Sequence, residues 1–288
     1  MNNNFFINKP VHSDFLVHWT GDDIDDKCNP KWYENDDNQS LTDQNTLDAY
    51  LERLKYILKY GLWMIESNDD EKIEVNENEF IKPVVARTCF SELQLSEARK
   101  HAKRFGRLGI GVKRYYVFNR VGGPMIYVQK ETQNILFPPY SECFTKGDFD
   151  NKNVACSFLK HMCPPGKTPK HYKYFDESEW RIVFSNHLQK DYYNSPNDID
   201  DAEFKKYIDR ACKKAKYLLP LDKWFAFIIY PSLHVKVAAE HDTVIRNEIK
   251  RLKPCLPENQ KVVCNKGTRD YENYSKLIEI DLDACRNF

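Results

Sequence analysis

Residues 15 to 21 read FLVHWTG and place an imidazole, an indole and a hydroxyl side by side where the first apolar run ends. In one interpretation this stretch contacts a ligand: His18 donates a hydrogen bond to a ribose or carboxyl group, Thr20 assists, and Gly21 lets the backbone approach. In the other, His18 ends a strand and bonds a backbone carbonyl, because buried polar groups in proteins are generally hydrogen-bonded. Taken alone, the stretch favours the second interpretation.

An arginine lies inside a short apolar run at residues 84 to 90, VVARTCF. A guanidinium in such a run is costly unless it meets an anion or a cleft. Arg87 would therefore bind the phosphate or carboxylate of a ligand, or form a structural ion pair, and the sequence gives both equal weight. Cys89 has no activating base beside it in the sequence, so we do not expect it to be a nucleophile.

Acidic residues stand at the head of the run EWRIVFS, residues 179 to 185. The period of two in a strand puts Glu177, Glu179 and Arg181 on one face. A carboxylate at the start of a strand that borders a cleft can stabilise a developing oxocarbenium ion, as in glycosyl transfer. A cross-strand salt bridge between Glu179 and an arginine is the alternative, and spacing alone favours it.

Four cysteine and histidine residues occur close together in one segment, namely Cys156, His161, Cys163 and His171. Their spacing matches no common zinc pattern, so we expect neither zinc nor another metal here. The overlapping run of Lys160, His161, Lys167, Lys170, His171 and Lys173 is basic. It could attract a phosphate-bearing substrate, or it could simply be a solvated loop.

Composition narrows the class of protein. The 288 residues carry 43 Lys and Arg against 43 Asp and Glu, so bulk electrostatic attraction to nucleic acid is not expected. The sequence contains no apolar run long enough to span a membrane, and its first residues lack the features of a signal peptide. Nine cysteines without a Cys-x-x-Cys pair indicate reduced thiols and predict a cytoplasmic location.

Hydrophobic periodicity predicts the elements that would position these residues. Leucines at helical spacing from Leu47 to Leu58 predict a helix that stops at Gly61. The acidic residues 22 to 46 read as a solvated loop. Further strands are predicted at 110–118, 124–130, 179–185 and 224–231, and further helices at 97–105, 201–217 and 233–252.

No repeat or linker divides the chain. The sequence therefore predicts one α+β domain over residues 1–288, with a mixed, mostly antiparallel central sheet and flanking helices. Residues 14–185 would form its core, and residues 186–288 would complete the sheet.

The motifs taken in order resemble a known family. HWT, ILKYGLW, RTCFSELQLS, HAKRFGRLGIGVKRYYV and ESEWRIVF follow one another in an order similar to that of the AbiGi family of abortive-infection proteins. That family forms one half of a bacterial phage-resistance pair and is described as its antitoxin. The resemblance covers residues 14 to 185 and extends weakly into IIYPSLHVK.

A looser resemblance is to the DarT-like branch of the ADP-ribosyltransferase fold. In that branch an early histidine contacts NAD, an arginine on a following strand serves the cofactor, and a late strand carries the catalytic glutamate. The resemblance implies an ADP-ribosyltransferase-like fold in which His18, Trp19, Thr20 and Arg87 bind NAD. Glu179 would stabilise the ribosyl cation as nicotinamide leaves, with Glu177 as the competing candidate.

Two functions follow from these resemblances. The first is an anti-phage abortive-infection protein with an NAD pocket that modifies a nucleic-acid or protein target. The second is a non-catalytic antitoxin or sensor that binds a partner toxin or a phage product. Neither function involves a membrane.

Overall fold

The computed structural model describes residues 14–28, 43–67, 72–75, 78–81, 84–92, 95–128, 157–161, 178–212, 214–253 and 277–287. Its strands are β1 (Phe15–Thr20), β2 (Leu62–Glu66), β3 (Lys72–Val75), β4 (Asn78–Ile81), β5 (Ala86–Ser91), β6 (Leu108–Lys113), β7 (Gly123–Pro124), β8 (Ile126–Val128), β9 (Leu159–His161), β10 (Glu179–Val183), β11 (Ala215–Leu219), β12 (Phe225–Tyr230) and β13 (Ile278–Asp281). Its helices are α1 (Asp22–Cys28), α2 (Gln44–Tyr60), α3 (Ala98–Phe105), α4 (Arg114–Phe118), α5 (Ala202–Ala211), α6 (Leu233–His241) and α7 (Thr243–Leu252).

The main sheet of the described residues has nine strands in the order β11-β2-β5-β1-β6-β12-β13, with β10 and β7 joined to it through β5. All of its pairings are antiparallel except that of β12 with β13. The prediction of a mixed α/β chain with a mostly antiparallel sheet and flanking helices is confirmed. Two small two-stranded sheets, β3-β4 and β8-β9, lie outside the main sheet.

Strand β5 has three neighbours, and this feature shapes the centre of the sheet. Along one edge it pairs with β10 from Arg87 to Ser91. On its other edge, β2 pairs only with Ala86 and Arg87, and β1 pairs only with Ser91. Among the described strands, none pairs with Thr88, Cys89 and Phe90 on that second edge. We call this interruption the β5 gap.

The two faces of the sheet are covered differently. The larger core lies on the face that α2, α6 and α7 cover, where Leu54, Phe90 and Val235 are among its fully buried members. A smaller core on the other face joins β1 and β12 to α3, with Val17 and Phe227 buried against that helix. The side chains of Glu179 and Arg181 point to this smaller face because Trp180 and Ile182, between and after them, belong to the larger core.

Two ion pairs, one buried and one at the surface, hold α1 in place, although its sequence reads as a solvated acidic loop. Asp25 is 3% exposed and accepts a hydrogen bond from Arg107 Nε at 2.9 Å and another from the Tyr50 hydroxyl at 2.7 Å. Asp23 pairs with the buried Arg53 at 2.7 Å. The expectation of a loop is therefore wrong for residues 22–28, because two arginines from distant elements bind the carboxylates.

The turn into α1 depends on glycine. Gly21 has φ of 108°, a conformation that side-chain-bearing residues rarely adopt. A Cβ atom there would also clash with the ring of Tyr50. Gly21 thus serves the turn from β1 into α1.

Several predicted elements have different bounds in the structure, and the strand predicted at 124–130 is divided between β7 and β8. The strand predicted at 110–118 ends at Lys113, and Arg114–Phe118 form α4, which buries Tyr116 and Val117 against the larger core. The helix predicted at 201–217 ends at Ala211, and Ala215 begins β11. The helix predicted at 233–252 is divided at Asp242, whose side chain caps α7. Burial and capping override local propensity in these places.

None of the helices in the described part of the chain combines the length and apolarity needed to cross a bilayer.

We expect the Asp25→Asn substitution to lower the free energy of unfolding by about 3 kcal/mol, because it leaves the buried Arg107 charge without a carboxylate. Urea denaturation at neutral pH would measure the change. Glu203→Gln is the matched control, since Glu203 and its partner Lys206 are each 74% exposed and such a pair contributes less than about 1 kcal/mol. Equal losses in the two variants would show that the Asp25 pair does not anchor α1.

Candidate functional site

A pocket with a volume of about 280 Å³ lies beside the β5 gap, between β1, β5, β10 and α3. This volume is close to the lower end of the range of about 300–1,000 Å³ that small-molecule sites occupy. Its apolar wall is formed by Val17, Trp19 and Phe105 on the face of the smaller core, and Phe90 lines the pocket from β5 while its ring lies in the larger core. The pocket therefore offers aromatic surface to a small ligand or to one part of a larger one.

Polar side chains from four different elements complete the lining. They are His18 of β1, Cys89 and Ser91 of β5, Arg104 of α3, Lys160 of β9, and Glu179 and Arg181 of β10. The lining thus carries three side chains that are cationic at neutral pH and one carboxylate. An excess of positive charge in a partly enclosed site favours ligands that carry an anion.

His18 bridges the β5 gap with its side chain. Its Nδ1 lies 2.9 Å from the carbonyl oxygen of Cys89, a group that a continuous ladder would pair with backbone. Because a carbonyl only accepts, Nδ1 must carry the hydrogen, and Nε2 is left as an acceptor. This is the backbone-carbonyl contact that the sequence favoured. It coexists with a place in the pocket lining.

Burial keeps the imidazole of His18 neutral. Desolvation lowers the pKa of His18 to about 4, and the positive charge of Arg53 acts in the same direction, while the bond to Cys89 opposes them. A neutral ring with its Nδ1 hydrogen already engaged can only accept a hydrogen bond at Nε2. Any ribose contact would therefore run from the sugar hydroxyl to His18, rather than from His18 to the sugar.

Glu179 is bound by two cations. Its Oε1 accepts a hydrogen bond from Arg181 Nε at 2.6 Å, and its Oε2 accepts one from Lys160 Nζ at 2.7 Å. Arg181 also donates from Nη1 to the carbonyl oxygen of Ser157 at 2.6 Å. The salt bridge that spacing favoured is present, and its arginine lies on the same strand rather than across the sheet.

The two cations decide the charge of Glu179. Burial alone would raise the pKa of this carboxyl, which is 6% exposed. The charges and hydrogen bonds of Arg181 and Lys160 outweigh burial and hold the pKa of Glu179 well below its usual range. Glu179 is therefore a carboxylate at neutral pH.

The backbone bends just before this carboxylate. Ser178 has φ of 42°, in the left-handed region that non-glycine residues seldom occupy. Its carbonyl oxygen accepts a hydrogen bond from the backbone N–H of Glu92 at 3.0 Å, and Glu179 then pairs with Ser91. The bend and this register make Glu179 the first residue of β10 and place it opposite Ser91 of β5. Strained residues of this kind cluster at functional sites.

Trp19 belongs to the smaller core and to the pocket lining at once. It is 7% exposed, and its Nε1 has no hydrogen-bond partner among the described residues. An indole N–H buried without a partner is uncommon, because such a group costs free energy until an acceptor reaches it.

Thr20 lies away from the pocket. Its hydroxyl accepts a hydrogen bond from Arg53 Nη1 at 2.8 Å. Arg53 is 2% exposed, also binds Asp23, and stacks over the ring of Trp63 at 4.4 Å. The hydroxyl predicted to assist a ligand is thus part of a buried network around Arg53.

Arg87 is also outside the pocket lining. It is half-buried on β5 and, by strand periodicity, shares a face with Cys89 and Ser91. The structure therefore brings His18, Trp19 and Glu179 together, and it places Thr20 and Arg87 elsewhere. The assignment of Arg87 to a cofactor stays a prediction.

Cys89 has the properties of a buried structural thiol. Burial, followed by the charge of the neighbouring Glu179, raises the pKa of Cys89 to about 12. A thiol in this state is a poor nucleophile, in agreement with what the sequence led us to expect.

Several sequence predictions lie outside the described residues. These are the competing Glu177, the zinc candidates Cys156, Cys163 and His171, and most of the basic loop; the side chain of His161 is not described either.

Sequence reasoning missed Arg53 and Arg104, and it singled out Lys160 only as part of a basic run that could attract a phosphate-bearing substrate. Arg53 had a signal, since it lies three residues after Tyr50 and four before Ile57, on the apolar stripe of α2. A charged residue on such a stripe requires a buried partner. Arg104 had no comparable signal, because it sits in a charged local sequence where an exposed position is the ordinary expectation. For Lys160, nothing in the local sequence CSFLKHMC points to Glu179 as its partner.

We expect the imidazole of His18 to remain neutral, with its hydrogen on Nδ1, at every pH above about 4. Nitrogen-resolved NMR of the histidine rings would measure this, with the His18→Gln variant assigning the signal and the urea-unfolded chain as the control. Between pH 4 and 6.5 the unfolded chain binds a proton at His18 that the folded chain does not bind. Stability therefore rises with pH across this window. A His18 ring that titrates near 6.5 in the folded protein would contradict the assignment.

Comparison of the sequence with protein-family models and with curated proteins, and of the fold with solved structures, found no match.

Proposed function

We propose that this chain is an NAD-dependent, ADP-ribosyltransferase-like protein of bacterial phage defence. The observation that supports the proposal most is the meeting of His18 and Glu179 in one pocket. The resemblance to DarT-like proteins implies the role of cofactor-binding histidine for His18 and of catalytic glutamate for Glu179, and the two residues come from opposite ends of the region that resembles the AbiGi proteins.

The chemistry of the lining suits the nicotinamide end of NAD. The aromatic side chains of Trp19 and Phe105 can pack against a flat heterocycle. Nε2 of His18 can accept a hydrogen bond from a ribose hydroxyl. The volume of about 280 Å³ fits one half of the dinucleotide, so the adenylate half would extend from the pocket.

Glu179 would act by charge. NAD supplies an ADP-ribosyl group when the bond between its ribose and nicotinamide breaks. Glu179 would stabilise the positive charge that develops on the ribose in that step, and a fixed carboxylate in a partly dry site does this more strongly than one in water. The acceptor then bonds to the same ribose carbon and releases its proton.

The wider parts of the proposal rest on the resemblance of the sequence. They are the ADP-ribosyltransferase-like fold, the abortive-infection role, the cytoplasmic location and a nucleic-acid or protein acceptor. The cationic lining of the pocket is compatible with a phosphate-bearing substrate.

A second function is favoured by a specific observation. Both carboxylate oxygens of Glu179 are already engaged, by Arg181 and Lys160, and the Thr20 hydroxyl is bound to Arg53. A protein that only binds a partner toxin or a phage product has no need of a free carboxylate. In this second reading the chain is a non-catalytic antitoxin or sensor.

We expect the Glu179→Gln substitution to reduce NAD consumption by about 10²–10³-fold, since loss of one preorganised electrostatic group has an effect of this size. Purified wild-type and variant proteins would be mixed with host and phage extracts and NAD labelled on its adenylate. Transfer of label to a macromolecule, together with nicotinamide release, would be followed. Glu240→Gln, an exposed change on α6, is the matched control and should retain full activity.

The results separate the two functions. Label transfer by wild type and Glu240→Gln but not by Glu179→Gln supports the transferase. Stabilisation of the wild-type protein by NAD without consumption supports the binding protein. If NAD is not consumed and also does not stabilise the wild-type protein, an NAD site is rejected.

A further inference from the structure

We infer that Lys160 changes its partner when a ligand binds. Its ammonium group leaves Oε2 of Glu179 and binds an anionic group of the ligand, so that Oε2 can then face the ligand. The inference deepens the proposed function and rests on it for the identity of the ligand, a phosphate-bearing one. It begins from the fact that both carboxylate oxygens of Glu179 accept hydrogen bonds from cationic side chains.

The two cations on Glu179 are not equivalent. Arg181 is 3% exposed, lies on the same strand two residues away, and is fixed by a second bond to the carbonyl oxygen of Ser157. Lys160 reaches Glu179 from β9, whose one pairing within the described residues is with β8, outside the main sheet. Its side chain is 18% exposed against 6% for Glu179. A lysine ammonium on a flexible four-carbon stem can change partner at lower cost than a clamped guanidinium.

The charges in the pocket permit the exchange. Breaking a buried ion pair is costly when it leaves a charge without a counter-ion. When an anion enters, Lys160 gains a new counter-ion and Glu179 keeps Arg181, so no charge is left alone. Because charge-assisted bonds to phosphate oxygens are strong, the pocket would accept a phosphate here. A neutral ligand would leave the Lys160–Glu179 bond in place.

The geometry explains how the carboxylate of Glu179 can keep a fixed orientation and still offer one oxygen to a ligand. Arg181 fixes the orientation of Glu179 through Oε1 in both states. Lys160 covers Oε2 only while the pocket lacks an anion. Lys160 is therefore a ligand-binding residue, and Arg181 is the residue that positions Glu179.

Binding of inorganic pyrophosphate, measured by titration calorimetry, tests the exchange. We expect Lys160→Gln to weaken binding by about tenfold to a hundredfold, since it removes one charge-assisted bond, and Lys160→Arg to retain most of the affinity. Lys206→Gln, which removes an exposed charge on α5, is the matched control and should leave the affinity unchanged.

A double-mutant cycle separates exchange from simple attraction. Glu179→Gln should tighten pyrophosphate binding, because Lys160 no longer has to leave a carboxylate. In the Lys160→Gln background the same change should give a much smaller gain. If Lys160→Gln alone does not fold, the double variant leaves no uncovered carboxylate and can be compared directly with Glu179→Gln.

Pyrophosphate that binds wild type and Lys160→Gln equally, or that binds neither, overturns the inference. An equal gain from Glu179→Gln in both backgrounds overturns it as well. The proposed function fails separately, by absence of NAD consumption and of stabilisation by NAD. Lys160-dependent pyrophosphate binding in a protein that does not use NAD would retain the exchange and reject the transferase.

Discussion

The hydrogen bond from the His18 imidazole to the Cys89 carbonyl is the contact on which the centre of this molecule depends. β2 and β1 share one edge of β5 and leave the β5 gap between them, so a polar backbone group there needs a partner that no neighbouring strand provides. A side chain supplies it. The strands can then diverge without an unpaired carbonyl, and the space beside them becomes the pocket that Glu179 borders.

Buried charged side chains form ion pairs on both sides of the β5 gap. Arg53 and Arg107 bind the acidic residues of α1, while Arg181 and Lys160 bind Glu179. Each of these cations faces a carboxylate, which is the condition under which proteins tolerate buried charge. The imidazole between them is kept neutral, in part by the charge of Arg53. The pocket lining therefore combines a neutral imidazole with an ionised carboxylate.

Sequence patterns predicted the regular elements well and the long-range contacts poorly. The stripe of α2, its stop at Gly61 and the apolar run of β12 follow from local periodicity, so their positions were predictable. Asp25 could not be assigned to the interior, because its partner Arg107 is remote in sequence. For the site, histidine and glutamate were predictable from their odd placement beside apolar runs. The contact between Lys160 and Glu179 was not predictable, since only the fold brings β9 to β10.

The parallel pairing of β13 with β12 affects how the protein is made. Phe227 pairs with Ile278, a residue synthesised about 50 positions later. At about 5–20 residues per second, the edge of β12 that pairs with β13 therefore remains unpaired for roughly 3–10 s during synthesis. All six residues of β12 are buried in the finished fold. During translation the nascent chain thus carries an uncovered apolar strand edge, the kind of surface on which chains associate wrongly. Slow decoding of the intervening codons would lengthen that exposure, and chaperone binding at this stage would shield it.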